Sequence, residues 1–200
     1  MRPIKKKLFL VDIPQSFYSD ETKAPFMKCL SCECNLLEKD THYIIEKAIK
    51  RYKGYSSTDT IFEYAICLKC HDKFMSVYSQ ESRGKVQNYF IENAQFNFMR
   101  HHLIHKLEDG IFNIDDWISH CIIKATPLNE LTEYQIGAQC IGNKMAVLEM
   151  PFLIGNEAMD EIMQLLSNKT IGDMNRFIDD FFGLPPDLKK LLKDTGVLIL

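Results

Sequence analysis

The chain has 200 residues, of which 46% are hydrophobic, 26% charged and 11% aromatic, a balance that excludes wholesale disorder, collagen and a pure coiled coil. A formal net charge of -3 argues against a dedicated polyanion binder. No apolar run reaches the ~18 residues of a membrane-spanning helix, so no membrane association is expected.

The elements follow in order. Lys7 to Ile13 reads as a short strand. The basic stretch before it resembles a secretory n-region, but its apolar run is short and interrupted by Asp12, so a cytoplasmic location is expected. Cys29-Leu-Ser-Cys32 comes next, then Thr41 to Ile49, rich in β-branched and aromatic residues, a turn at Gly54 to Asp59, and a returning strand from Ile61 to Ile66. This hairpin delivers the chain to Cys67-Leu-Lys-Cys70, after which His71 to Arg83 has helical spacing at Phe74, Val77 and Tyr78.

Lys85 to Glu108 carries apolar residues at i, i+3, i+4 and stops at Asp109-Gly110, the pattern of a long amphipathic helix. Glu133 to Cys140 and Lys144 to Met150 read as a second hairpin turning at Ile141-Gly142-Asn143. The tail is helical: Asn156 to Leu166, then Met174 to Phe182 opened by a capping-box pattern at Thr170 to Asp173, then Leu188 to Lys193 after Pro185-Pro186. The expected class is α+β.

Charge divides the chain. Residues 1–90 hold 15 Lys and Arg against 11 Asp and Glu, while residues 91–200 hold 9 against 16. Five of the seven cysteines also lie in the first part. A boundary is therefore expected near residues 84–92, giving a zinc-binding module over 1–88 and an α+β domain with a hairpin and a helical C-terminus over 89–200.

In a reducing compartment these cysteines read as metal ligands or buried thiols rather than disulfides. Two residues between cysteines let a tight turn aim both sulfurs at one ion, and a second such pair completes a tetrahedral four-sulfur shell suited to Zn2+. Cys29, Cys32, Cys67 and Cys70 are the expected ligands. Cys34, with one residue between it and Cys32, reads as a spare, and His71 as a helix residue. Four thiolates leave no position for water, so the zinc is expected to be structural.

The order of paired cysteines, hairpin, paired cysteines and helix over residues 27–83 resembles the treble-clef zinc-finger group, a scaffold that serves many functions. The segment Ile66 to Lys73 also resembles the end of zinc-containing HNH endonucleases. That resemblance implies a catalytic cation at His71 and a general base in the hairpin, where only His42 is available.

The expected function is a non-catalytic zinc-binding module, a binding or adaptor protein, with a metal-dependent nuclease of the HNH kind as the alternative. No catalytic residues are assigned. His101 and His105 stand one turn apart, with His120 and Cys121 as the candidates for a third ligand, but surface or packing histidines are the expected reading. No phosphate-cradling glycine loop is present. The sequence names no partner and leaves a protein partner open. Weak single-stranded nucleic-acid binding is a further expectation for the hairpin, through Lys47, Lys50, Arg51 and Lys53 with Tyr52 and Tyr55.

Overall fold

The computed structural model describes residues 8–52, 54–55, 57–76, 78–93, 96–147 and 150–182. Its organising element is β2 (His42–Arg51). Tyr43, Ile44, Ile45 and Ala48 bury both faces of this strand, so it requires a neighbour on each edge and cover above and below. β3 (Thr58–Cys67) pairs with one edge and β4 (Glu133–Ile141) with the other, both antiparallel.

β1 (Phe9–Asp12), β5 (Lys144–Val147) and β6 (Phe152–Gly155) complete the sheet. The order is β1-β5-β4-β2-β3, with β6 also on β4. β5 meets residues 139–141 of β4 and β6 meets residues 134–137, so the two short strands lie end to end along the edge that β2 leaves free.

The class is α+β, as expected: an antiparallel sheet with six α-helices among the described residues. The expected division at residue 88 does not separate two sheets. β1, from the first part, pairs with β5 from the second, and β2 pairs with β4 from Lys50↔Glu133 to His42↔Ile141. One buried cluster runs from Ile13 to Phe177. Charge and cysteine content change near residue 88 because they follow the surface and the thiol site, whereas strand pairing follows burial.

The helices are α1 (Leu68–Met75), α2 (Gln80–Asn93), α3 (Phe96–Glu108), α4 (Ile114–Trp117), α5 (Asn156–Leu165) and α6 (Asn168–Phe182). The helix expected over His71 to Arg83 is two: α1 ends at Met75, and Ser79 opens α2 by accepting the Ser82 N–H at 3.1 Å. Val77 is outside the described residues, as is the helix expected over Leu188 to Lys193. The span expected as one helix from Lys85 to Glu108 is divided between α2 and α3. The helix expected from Met174 begins six residues earlier, at Asn168.

That earlier start has a local cause. Ser167 caps α6 by accepting the Thr170 N–H at 3.3 Å, so Thr170, expected as the cap, is the third helical residue. The two caps are also exchanged: the Ser167 N–H donates to Ser82 Oγ at 2.9 Å and the Ser79 N–H donates to Thr170 Oγ1 at 3.1 Å. In a capping box the third helical residue satisfies its own cap's N–H; here each helix satisfies the other's. Ser82 and Thr170 are fully buried, and this exchange supplies their partners.

The β4–β5 hairpin turns through Gly142 and Asn143. Gly142 has φ +54° at the first central position, where a II′ turn requires a left-handed residue, and its N–H donates to Thr41 O at 2.9 Å. The Tyr43 hydroxyl donates to Gly142 O at 3.0 Å, so this turn is fastened to the start of β2. Phe74 of α1 meets Phe177 of α6 with ring centroids 4.3 Å apart, joining the helix after β3 to the C-terminal helix. Among the described residues no helix is long and apolar enough to cross a membrane.

Candidate metal centre

The first thiol loop is a short hairpin closed by the antiparallel bridge Lys28↔Asn35. The Cys29 N–H donates to Cys34 O at 3.0 Å and the Glu33 N–H to Cys29 O at 2.9 Å. Glu33 takes φ +57°, a left-handed conformation that costs a non-glycine residue about 1–2 kcal/mol. Leu36, fully buried, anchors the loop in the core, and the Leu30 N–H donates to Ala65 O at 2.9 Å, fastening the loop to β3.

The second thiol pair lies where β3 becomes α1. Cys67 is the last residue of the strand and the extended N-cap of the helix, and Cys70 sits in its first turn. The strand's end is therefore held against the first loop, and the Cys67 N–H donates to Cys29 Sγ at 3.4 Å.

Four sulfurs converge. The Sγ atoms of Cys29, Cys32, Cys34 and Cys67 all lie within 4.8 Å of one another, and Cys32 Sγ is 3.8 Å from Cys67 Sγ. Cys70, an expected ligand, is not one of these four; it is buried in the first turn of α1, three residues after Cys67. The arrangement is an axis, Cys32–Cys67, with Cys29 and Cys34 gathered beside it.

The axis is too long for a disulfide and fits the edge of a tetrahedral four-sulfur shell. A disulfide needs about 2.05 Å between sulfurs, whereas a tetrahedral ion with metal–sulfur bonds of about 2.3 Å sets its sulfurs about 3.8 Å apart. Four thiols placed this way can hold a metal ion, and the all-sulfur donor set suits zinc.

The electrostatics are uneven. The backbone N–H of Cys34 stabilises the Cys32 thiolate and brings its pKa down to about 6. Burial pushes Cys67 up to about 11 and Cys70 up to about 12. One thiolate is thus ready at neutral pH, and a cation must displace protons from the buried pair.

No family model, curated protein or solved structure matches the chain. Function must therefore be read from the site itself.

The other residues named from the sequence are spread out. His42 is exposed at the start of β2, and His71 is half-buried with its ring 3.8 Å from the Asp72 carboxylate. His105 Nδ1 is 3.2 Å from Glu108, and His120 Nδ1 is 2.9 Å from Ser119 Oγ. The His101 side chain is outside the described residues. Cys121 is buried and accepts the N–H groups of Gly155 and Lys124 at 3.3 and 3.4 Å, the surroundings of a packed thiol. Among the described residues Cys29, Cys32, Cys34 and Cys67 are the one gathering of metal-ligating groups.

The hairpin charges are largely committed. Lys47 is 3% exposed and paired with Asp20 and Glu63, both at 3.0 Å. Lys50 is 3.1 Å from Glu133, and Arg51 Nη1 donates to Leu128 O at 2.5 Å. Tyr52 and Tyr55 are exposed, as expected for the turn, with Tyr52 donating to Asp59 at 2.8 Å. Lys53 is outside the described residues.

Cys34, a spare by its spacing in the sequence, lies in the gathered group. Its signal was the pattern Cys-x-x-Cys-x-Cys, in which a left-handed residue between the last two cysteines turns the third sulfur back toward the first pair.

Proposed function

We propose that the chain is a structural zinc protein of treble-clef type, acting as a non-catalytic binding or adaptor module, with the ion held by Cys29, Cys32, Cys67 and Cys70. The observation that carries this reading is the convergence of sulfurs about a 3.8 Å axis. Burial favours Cys29 and Cys70 as the other two ligands, at 1% and 6% exposure, over exposed Cys34. The order of thiol loop, β2–β3 hairpin, second thiol pair and α1 supports the treble-clef type.

Four thiolates close the shell, so the ion has no position for water or substrate and contributes folding energy rather than chemistry. A nuclease needs a second cation site and a base. His42 and His71 are not among the side chains the fold gathers around an ion. With Lys47 buried and Lys50 and Arg51 paired, a protein is the favoured partner over a nucleic acid.

Metal analysis of the full chain purified without added metal tests the assignment. The wild type and Cys34→Ser are expected to carry one zinc each, and Cys67→Ser none. Zinc retained in Cys67→Ser, or lost in Cys34→Ser, overturns the ligand set.

A further inference from the structure

The β2–β3 hairpin carries the thiol centre at one end, where Tyr43 pairs with Cys67, and a separate cavity at the other, where the strands turn. This cavity of about 340 Å³ lies between the turn and residues 129–132, and its size is that of a small recognition site. Arg51 ties the two sides together: its backbone N–H donates to Thr132 O at 2.7 Å and its Nη1 to Leu128 O at 2.5 Å. Two tyrosines line the space. Tyr52 and Tyr55 are the aromatic members of the exposed large apolar side chains among the described residues, and this one cavity holds both. The Tyr55 N–H donates to Tyr52 O at 3.1 Å, and the Tyr52 hydroxyl is held by Asp59 at 2.8 Å. Asn129 and Glu130 are exposed and also line the cavity. Among the described residues the side chains of Tyr55, Asn129 and Glu130 make no hydrogen bond or ion pair, so their polar groups are available to a ligand.

Resting on the reading of the chain as a module for a protein partner, we propose that this cavity binds a proline-rich segment of that partner, with a basic residue beside the prolines. A polyproline helix is extended and rigid before it binds, so it loses little entropy on docking, and its flat pyrrolidine rings pack on aromatic side chains. Tyr52 and Tyr55 offer such surfaces. Proline has no N–H, so the segment presents carbonyl oxygens that need donors. The Tyr55 hydroxyl and the Asn129 amide can supply them.

Charge selects the kind of strand. Glu130 places an unpaired carboxylate at the cavity, which attracts a flanking lysine or arginine of the segment and repels phosphate. Lys50, the cation beside Arg51 in β2, is already paired with Glu133 at 3.1 Å. A phosphate backbone would therefore meet few free cations here, and a basic proline-rich peptide fits the charge better than a nucleic-acid strand.

The test titrates the full chain, its zinc content measured first, with a decaproline peptide ending in arginine, followed by calorimetry. Saturable binding is expected. Tyr55→Ala should weaken it about tenfold, and Tyr55→Phe, which keeps the ring, should restore most of the loss. Glu130→Gln should weaken the arginine-bearing peptide about threefold and leave plain decaproline unchanged. Both side chains are exposed, so the variants should melt with the wild type. No saturable binding, equal binding of a glycine–serine peptide of the same length and charge, or wild-type affinity in Tyr55→Ala overturns the proposal. Tighter binding of oligothymidylate through the same tyrosines overturns it in favour of single-stranded nucleic acid. Zinc-loaded protein that binds no peptide overturns this inference alone, whereas a chain that carries no zinc and binds the peptide upholds it and removes the zinc reading.

Discussion

Replacing Cys67 by Ser is expected to cost more than replacing Cys29, Cys34 or Cys70. Cys67 stands 3.8 Å from Cys32 inside the gathered group and, at the β3–α1 junction, is the sulfur that ties the first thiol loop to the sheet. Structural zinc contributes about 10–16 kcal/mol of apparent binding free energy in small zinc modules. A whole domain is stable by only about 5–15 kcal/mol. Because β3 ends in Cys67 and shares its sheet with β4 through β2, the loss should reach the entire chain. Thermal unfolding of Cys67→Ser should show no cooperative transition near that of the wild type, and excess chelator should reproduce this in the wild type. Cys70→Ser should fall between them, since Cys34 can take its place, and Cys34→Ser/Cys70→Ser should match Cys67→Ser. A Cys67→Ser chain that melts with the wild type contradicts the structural role.

The second large effect is expected at Lys47. All three ammonium protons are engaged: Asp20 and Glu63 accept at 3.0 Å each and the Tyr18 carbonyl at 2.8 Å. Glu63 in turn accepts the Ser19 hydroxyl at 2.8 Å and the Asp20 N–H at 2.7 Å, so the lysine is the counterion that holds residues 18–20 against the sheet. Lys47→Met keeps the apolar stem but leaves carboxylates facing each other beside a buried strand. Breaking a fully buried pair from one side costs about 3–5 kcal/mol, and solvent at the half-exposed Asp20 carboxylate brings the expected cost here below that range's upper end. Lys50→Met, at a half-exposed pair with Glu133, should cost about 0–1 kcal/mol. Urea titration measures both, and equal midpoints for the two variants contradict the buried role of Lys47.

The same lysine marks where the sequence misleads. By composition Lys47 belongs with Lys50, Arg51 and Lys53 as a basic hairpin. Its acidic partners lie 27 residues upstream at Asp20 and 16 downstream at Glu63, a non-local arrangement that charge runs do not reveal. The β2–β3 hairpin was legible because its turn and β-branched strands are local, and the two Cys-x-x-Cys pairs because ligand spacing is itself a local geometric rule.

Pairing of β2 with β4 was not legible. Thirty-one residues of helix in α2, α3 and α4 lie between them in the chain, and nothing in either strand names the other as its neighbour. β6 is only four residues long and reads as part of a longer apolar run. The exchanged caps at Ser79 and Ser167 look like two separate capping signals, because the hydroxyl that completes each one is contributed by the other helix. Cys34 was legible as a cysteine but not as a neighbour of Cys67, since that depends on the left-handed turn at Glu33.

X-ray absorption at the zinc edge, on the full chain purified without added metal, bears most directly on the centre. The expected first shell is four sulfur atoms at about 2.3 Å with no lighter ligand. A shell containing nitrogen or oxygen, as a His71 or water ligand would give, or a chain that carries no zinc, would contradict a closed four-thiolate centre.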